Sequence, residues 1–255
     1  MSAPLRRIAL TALCATAALG LTACSSTSTS SGSTAGAAAA ASSGASGAAS
    51  ATPAGDSAAT PSASAPPNGK KLNSLLLPAS ALPKGFSIDS AGTVNTGDGY
   101  NPSASPSTVS ASKACDVIQG TSWINSTGLS SLSFAQNDYT DSAQNLFGQE
   151  VDSYQGNDAK AVMSDLRKVF AECANAKVKV NGTAYSAHTT HKTLTGLGDD
   201  AVEAVSTSSA LYGGTTLIAV RVGDLVVTTI YNDQKNTGSA DLALTRRLVA
   251  NVSAG

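Results

Sequence analysis

The most regular pattern of apolar and polar positions in the chain runs from Asn157 to Ala176 and predicts an amphipathic helix. Its apolar positions recur every three or four residues: Ala159, Val162, Met163, Leu166, Val169, Phe170 and Cys173. That spacing gathers them on one helix face, where they can pack on a core. Asn157 is a favourable N-cap residue, and Asp158 suits the positive end of the helix dipole.

Shorter apolar stretches on both sides of this helix predict strands. They occupy residues 86–90, 129–139, 147–154, 178–180, 184–190, 201–207, 216–222 and 225–231. The second and third are expected to pair with each other. Asn181-Gly182 and Gly223-Asp224 separate neighbouring stretches, and such dipeptides are typical of tight hairpins because they tolerate positive φ.

Two further helices complete the predicted fold. A short one over Val109–Gln119 carries Cys115, and a final one begins near Ser239, with Leu244, Leu248 and Val252 on one side. The prolines after Leu75–Leu77 favour a leading segment that packs on the core. The order of elements indicates an α+β fold, with a mainly antiparallel sheet and helices packed on one face.

The first 24 residues have the pattern of an export signal. Arg6 and Arg7 precede an apolar run from Ile8 to about Leu21, and Leu21-Thr-Ala-Cys24 resembles a bacterial lipobox. In that interpretation, residues 1–23 form a lipoprotein signal peptide, and Cys24 is acylated and becomes the first mature residue. The protein is then lipid-anchored on the extracellular face of the cell membrane.

Other interpretations of this segment stay open. The chain can carry an ordinary secretory signal with an incidental Cys24, or an uncleaved anchor, although the apolar run is shorter than the roughly 20 residues of a spanning helix. The paired arginines leave both the Sec and the Tat export routes possible.

Residues 24–68 are expected to form a disordered tether after the lipid. From Ser25 to Pro67 the chain uses Ser, Thr, Ala, Gly and Pro, with Asp56 as the exception. Without large apolar side chains nothing offsets the entropy cost of ordering. Such a coil has an r.m.s. span of roughly 35–40 Å. Residues 69–255 then form one sensor-like globular domain, which contains every aromatic residue.

The cysteines agree with export. Cys14 lies in the signal and Cys24 takes the lipid, so Cys115 and Cys173 remain. In an oxidising compartment such a pair is most simply a disulfide, and the predicted helix places Cys173 on its buried face. Two free thiols or a metal pair are the alternatives, the latter disfavoured because no neighbouring ligand completes a site.

Charge and motifs argue against several functions. The net charge is −1 and no basic run follows the signal, so no nucleic-acid partner is expected. His188 and His191 would lie on opposite faces of one strand, which disfavours a metal site. Phosphate-binding loops, dinucleotide fingerprints and the Gly-x-Ser-x-Gly elbow are lacking. We therefore expect no catalytic residues, no metal and no cofactor. Gly196-Leu-Gly-Asp-Asp200 is acidic, like an ion-binding loop, but is expected to be a structural turn.

Several segments resemble the PknH-like extracellular sensor domain family of actinobacteria. They are Ser133-Phe134 on a strand, the 159–173 helix ending Val-Phe-Ala-Glu-Cys, Gly198-Asp-Asp-Ala-Val202, and Arg221-Val-Gly-Asp-Leu-Val-Val-Thr228. The resemblance covers the chain from Leu75 to the last helix. It implies a sheet with helices and a broad cleft for an unidentified ligand. The family's kinase ectodomain has two disulfides, whereas this domain has cysteines for one.

Two classes of function follow. The first is a non-catalytic, membrane-anchored sensor or ligand-binding lipoprotein, with ligand-binding residues unknown. Sensing would then need an envelope ligand or a membrane protein as partner. The second is a structural or protein-interaction lipoprotein of the cell envelope. A deep cleft lined by aromatic residues favours the first, and an exposed apolar patch favours the second.

Overall fold

The structure, a computed structural model, describes residues 65–101, 106–180, 183–209, 211–232 and 238–255. The expected signal peptide, Cys24 and most of the expected tether lie outside these residues. The described helices are α1 (Gly69–Asn73), α2 (Ala111–Val117), α3 (Asp158–Glu172) and α4 (Ser239–Ala254), with short 3-10 helices at Ala79–Ala81 and Trp123–Thr127. Among these residues no helix combines the length and apolarity needed to cross a membrane.

Eight strands form one sheet in the described part of the chain. They are β1 (Ser87–Asn95), β2 (Ser133–Thr140), β3 (Leu146–Ser153), β4 (Asn175–Val180), β5 (Thr183–Thr193), β6 (Asp200–Ser208), β7 (Leu211–Val222) and β8 (Leu225–Asn232). Their order across the sheet is β1-β2-β3-β8-β7-β6-β5-β4, and all of these neighbours pair antiparallel. The predicted α+β class and antiparallel sheet are confirmed.

The predicted hairpins set the register of the sheet. β7 and β8 pair from Val222 opposite Leu225, and Gly223 between them has a φ of +60°, which favours glycine. β4 pairs with β5 from Val180 opposite Thr183, although the Asn181-Gly182 turn itself lies outside the described residues. β2 and β3 pair along their whole length, as expected.

Each face of the sheet has its own apolar core, because successive residues of a strand point to opposite sides. On β7, Leu217 and Ala219 contact the core that contains α3, whereas Ile218 and Val220 contact the core that contains α4. We call these the α3 face and the α4 face. The prediction of helices on one face is wrong in this respect: α2 and α3 cover one face, and α1 and α4 the other. Central strands that are apolar on both sides need cover on both sides.

The α3 helix carries the predicted buried stripe and one half of a disulfide. All seven predicted positions of the stripe are buried, and Cys173 at its end is bonded to Cys115 of α2, with 5.4 Å between the Cα atoms. The predicted disulfide is therefore present. The helix ends at Glu172 rather than Ala176, because Asn175 already pairs with His188 in the sheet.

The leading segment is fastened to the α4 face, as its apolar residues predict. Leu72, Leu75, Leu76 and Leu77 are buried in that core. The backbone N–H of Leu77 donates to Gln149 Oε1 at 3.0 Å, and Gln149 Nε2 donates back to the Leu77 carbonyl at 2.8 Å. The Tyr139 hydroxyl donates to the same carbonyl at 2.7 Å. The backbone N–H and carbonyl of Leu77 are thus both satisfied.

Candidate functional site

On the α3 face, β2 and β3 carry polar side chains where the central strands carry apolar ones. Gln136 and Asp138 of β2 and Glu150 and Asp152 of β3 point to this side. The apolar residues that alternate with them belong to the α4-face core: Ala135, Tyr139, Phe147 and Val151. The four polar residues are nevertheless at most 6 % exposed. Something other than solvent therefore covers them.

The cover is the segment from Thr121 through the 3-10 helix Trp123–Thr127. The Trp123 indole N–H donates to the Thr229 carbonyl of β8 at 3.3 Å, which holds the 3-10 helix on the sheet. Ser122 has a φ of +53°, in the left-handed region that a residue other than glycine occupies at an energetic cost. This conformation turns the chain down onto the strands.

A chain of hydrogen bonds links the cover to the strands. The Ser122 hydroxyl donates to Gln136 Oε1, and Gln136 Nε2 donates to Asp138 Oδ1 at 3.1 Å. Gly148, which pairs with Asp138, makes room for this carboxyl. A Cβ at Gly148 would lie 3.0 Å from Asp138 Oδ1 and 2.7 Å from Ile230 Cγ2. The glycine is therefore required by close packing at this point.

The neighbouring cavity has a volume of about 150 Å³. Its lining is polar except for one aromatic ring: Asn101, Ser122, Asn125, Ser130, Ser131, Phe134, Glu150 and Asp152. An adjoining small pocket of about 10 Å³ shares Ser122 and Glu150 with it, lies beside Asp138 and Gly148, and has room for about one water. We call the cavity and this pocket together the acidic cleft, and the three carboxyls Asp138, Glu150 and Asp152 the acidic row.

The acidic row has unsatisfied hydrogen-bonding capacity. Glu150 Oε2 and Asp152 Oδ2 are fully buried and have no protein hydrogen-bond partner. Both residues line the cavity, so their carboxyl groups lie in its wall. Buried polar atoms without partners are rare in folded proteins, because leaving them unpaired costs about 1–3 kcal/mol each.

Burial and mutual repulsion raise the pKa values of the row. Burial raises the pKa of Asp152 to about 7. Burial, and then the neighbouring Asp152 and Asp138, raise the pKa of Glu150 well above its usual range. Burial also raises the pKa of Asp138, against its hydrogen bonds with Gln136 and Thr121. Shifts of this kind cluster at functional sites.

No described lysine or arginine forms an ion pair with the acidic row. The five described ion pairs involve other carboxylates: Asp98, Asp165, Asp199, Asp200 and Glu203. The cleft therefore concentrates negative potential whenever one of its carboxyls ionises, since low-dielectric walls focus the field.

The residues singled out in the sequence lie elsewhere. The Cys115–Cys173 disulfide is buried under α3, and Cys24 is outside the described residues. His191 packs against the Phe170 ring on the α3 face, at 6.2 Å between centroids. His188 points to the opposite face, with Nδ1 3.0 Å from Asn175 Oδ1. The described residues contain no cluster of three or more His, Cys, Asp or Glu able to hold a metal ion.

The Gly196–Asp200 segment is a structural turn, as expected. Asp199 Oδ2 accepts from the Gly223 backbone N–H at 2.7 Å and from Arg221 Nη1 at 3.1 Å. Asp200 forms an ion pair with Arg167 of α3. Both carboxylates thus hold neighbouring elements together.

Sequence reasoning missed the acidic row entirely. Its residues alternate with apolar ones along two predicted strands, which in an antiparallel sheet normally indicates a solvated face. The available signal was the clustering of Asp138, Glu150 and Asp152 on two strands expected to pair. The burial of the row depends on the 121–127 segment, which local patterns do not place.

Comparison with known proteins supports the fold. No family model and no curated protein sequence matches the chain. Among solved structures, the extracellular domain of PknH from Mycobacterium tuberculosis is similar, with a TM-score of 0.57 and 15% sequence identity. The match covers 75% of this chain and 99% of that domain. At this identity the likeness is one of fold, and the fold implied by the sequence resemblance is confirmed.

Proposed function

We propose that this protein is a lipoprotein on the extracellular face of the cell membrane, with a non-catalytic, PknH-like sensor or ligand-binding domain. The acidic cleft is the observation that carries the proposal. It combines a cavity, an aromatic wall at Phe134 and two buried carboxyl oxygens without partners, at Glu150 and Asp152. Ligand sites typically combine concavity with a few convergent polar groups.

Three observations support the location. The Leu21-Thr-Ala-Cys24 pattern favours a lipid anchor. The Cys115–Cys173 disulfide suits an oxidising compartment. The fold is similar to that of a domain described as extracellular. On this proposal the membrane is reached through the lipid, and the other partner is an envelope ligand or a membrane protein.

The anchor is tested by metabolic labelling. Cells producing the wild-type chain, Cys24→Ser or Cys14→Ser are labelled with a palmitate analogue, and membrane and soluble fractions are compared. Cys14→Ser is the matched control, since it removes the other cysteine of the N-terminal segment. We expect label and membrane association to disappear only in Cys24→Ser. Label retained in Cys24→Ser contradicts the lipid anchor.

The binding function is tested on protein purified from its own membrane. Native mass spectrometry of the wild-type chain should show an added mass that is absent from the double variant Glu150→Gln with Asp152→Asn. Glu172→Gln, an exposed acid at the end of α3, serves as the charge-matched control. Loss of the added mass in all variants, or in none, contradicts the assignment of the cleft.

A non-catalytic role is part of the proposal. Binding needs complementary groups only, whereas catalysis needs a positioned nucleophile, base or metal. The test compares wild type with the same double variant for hydrolysis of envelope glycans and peptides. Hydrolysis that disappears in the variant would show that Glu150 and Asp152 act as acid and base, and would overturn this part of the proposal.

One observation favours a protein-interaction role as the second candidate. Ile88 and Val94 of the edge strand β1, and Tyr100 after it, are large apolar side chains with 46–52 % exposure. Edge strands with exposed apolar residues can pair with other chains. If Ile88→Lys with Val94→Lys abolishes cross-linking to an envelope protein while the cleft variants do not, this second function is favoured.

A further inference from the structure

The acidic cleft lacks the positive charge that its carboxyls call for. Buried carboxyls in folded proteins are normally paired with a cation or fully hydrogen-bonded. Here no described ion pair reaches Asp138, Glu150 or Asp152. Gln136 and Ser131 donate to the row, yet Glu150 Oε2 and Asp152 Oδ2 stay without protein partners. The two oxygens therefore lack a hydrogen-bond donor, and a donor with positive charge would also offset the charge of the row when it ionises.

The two open oxygens belong to residues that share one wall of the cavity. Glu150 and Asp152 are two positions apart on β3, so their side chains point to the same side of the strand. Both are at most 5 % exposed, and both line the cavity of about 150 Å³. A group entering that cavity can therefore reach the two carboxyls together.

Phe134 supplies a second feature of a cation site. It pairs with Asp152 across β2 and β3, on the same face, and lines the same cavity. The face of an aromatic ring attracts ammonium and guanidinium groups through its quadrupole. A carboxyl and an aromatic ring side by side therefore favour a cationic head group over a neutral or anionic one.

We propose that the acidic cleft binds an organic cation, a primary ammonium or guanidinium head group, held between Glu150, Asp152 and the Phe134 ring. This inference rests on the proposed function, which places the ligand in the cleft, and it names the chemistry of that ligand. The polar rim at Asn125 and Ser130, which is exposed, leaves the rest of the ligand in contact with solvent.

The size of the cavity favours an organic cation over a metal ion. A space of about 150 Å³ accommodates a group of about five heavy atoms. Bound calcium needs six to eight oxygen ligands at about 2.3–2.6 Å. The described residues form no such cluster of three or more potential ligands. A propylammonium or guanidinium ion fits the space and can donate two or more hydrogen bonds.

Cation binding should release protons near neutral pH. Asp138 on β2 and the Tyr154 phenol after β3 interact electrostatically with the row. Asp89 on β1 in turn interacts with Asp138. These groups carry no positive charge, so a bound cation lowers the raised pKa values of the row. Protons then leave the carboxyls as the cation enters.

The test uses the full chain in a non-ionic detergent and three probes of similar size: propylammonium, n-propanol and propionate. Backbone amide shifts in NMR titrations report binding at β2 and β3. We expect saturable shifts with propylammonium, with an affinity about tenfold or more above that of propanol, and none with propionate. Calorimetry in two buffers of different ionisation enthalpy should show proton release on binding of propylammonium.

Substitutions that remove charge but keep side-chain shape show whether charge determines the binding. Glu150→Gln with Asp152→Asn should lose the preference for propylammonium over propanol, and Glu172→Gln should keep it. Equal binding of propanol and propylammonium by the wild type, which needs no variant to fold, overturns the cation inference but leaves the cleft as a ligand site. Absence of shifts with every probe also overturns the cation inference. Native mass spectrometry then remains the test of whether the cleft binds a ligand.

Discussion

One face of a single sheet is covered in two different ways. Over β5 to β8, α3 covers the α3 face with apolar side chains, and the disulfide ties that helix to α2. Over β2 and β3, the 121–127 segment covers the strands, and what it buries is polar. We call β5 to β8 with α3 the apolar half and β2 with β3 the polar half; the sheet continues unbroken from one to the other. Burial and apolarity, which usually go together, are here separated.

Trp123 lies at the boundary between the two halves. Its ring packs against Phe170 of α3, at 5.7 Å between centroids, and so belongs to the apolar core. Its indole N–H is bonded to the Thr229 carbonyl, and the residue also lines the small pocket of the cleft. A large aromatic side chain with a polar atom can satisfy both environments. The apolar half thereby fixes the cover of the polar half.

The two halves differ in what their burial does to stability. Apolar side chains under α3 stabilise the fold by leaving water. Carboxyls in the acidic row lose hydration without gaining full hydrogen bonding, which destabilises their ionised forms. A site kept at a cost to stability is expected where function requires it. The two halves should therefore respond oppositely to substitution.

The largest effect should come from truncating the apolar half. Phe170 is fully buried, so Phe170→Ala leaves a cavity and should lower the free energy of unfolding by about 3–5 kcal/mol. Phe134→Ala is the matched control in the polar half, where the ring is only partly buried and the loss should be smaller. Urea unfolding of the full chain measures both. Equal losses would remove the energetic distinction between the halves.

Removing the disulfide should have the next largest effect. Cys115→Ala with Cys173→Ala releases a bond between residues 58 positions apart, and should destabilise the protein by about 2–5 kcal/mol. Wild type treated with reductant is the control, and it should fall by a similar amount. If neither treatment changes the midpoint of urea unfolding, the disulfide does not stabilise the α3 half.

Wild-type protein should be more stable at pH 5 than at pH 8. Burial raises the pKa of Asp152 to about 7, and that of Asp241 in α4 to about 8. In the unfolded chain these carboxyls ionise near pH 4. Between about pH 4 and pH 8 the folded state therefore binds more protons, and this contribution to stability is lost as the pH rises. We expect a Tm roughly 5 °C higher at pH 5.

Other groups with shifted pKa values do not reverse this pH dependence of stability between pH 5 and pH 8. Asp141, whose pKa is lowered first by its hydrogen bond with the Asn145 side chain, stabilises the fold above pH 4 and loses its effect only below it. The raised pKa values of Tyr139 and Lys168 concern pH values above 10. A Tm that is higher at pH 8 than at pH 5 would contradict the burial of the acidic carboxyls.

Neutral substitutions in the acidic row should stabilise the protein, in contrast to any truncation under α3. Asp152→Asn removes a charge that is costly at pH 8, and should raise the free energy of unfolding by about 1 kcal/mol there and by less at pH 5. The same change at an exposed acid, Glu172→Gln, should stay within about 0.5 kcal/mol at both pH values. Destabilisation of Asp152→Asn at pH 8 would show that the carboxylate is paired.

The apolar half was the more predictable of the two. The α3 stripe recurs at a fixed spacing, and the hairpin turns carry their own local signals, so both follow from short stretches of sequence. The helix nevertheless ends at Glu172, because pairing of Asn175 with His188 overrides the helical preference of the alanines nearby. Long-range pairing of this kind has no local signature.

The candidate site was not predictable, for a related reason. Polar residues such as Glu150 and Asp152, alternating with apolar ones, are equally compatible with a solvated face and with a buried cleft. The side chains are buried in a cleft through long-range contacts, such as that between Ser122 and Gln136, 14 positions apart, and that between Trp123 and Thr229, 106 positions apart. Cys24 stays a prediction from the sequence, to be tested by labelling.

The smallest effect is expected at the two exposed histidines of β5. Both are exposed, and they occupy opposite faces of β5, where His188 contacts Asn175 and His191 contacts the edge of the α3 core at Phe170. His188→Ala with His191→Ala should therefore change the free energy of unfolding by less than about 1 kcal/mol. It should also leave binding of propylammonium unchanged, because neither ring lines the cleft. Chemical denaturation and the same NMR titration measure both quantities. A loss of binding in this variant, with the fold intact, would move the ligand site away from β2 and β3 and end the contrast between the halves.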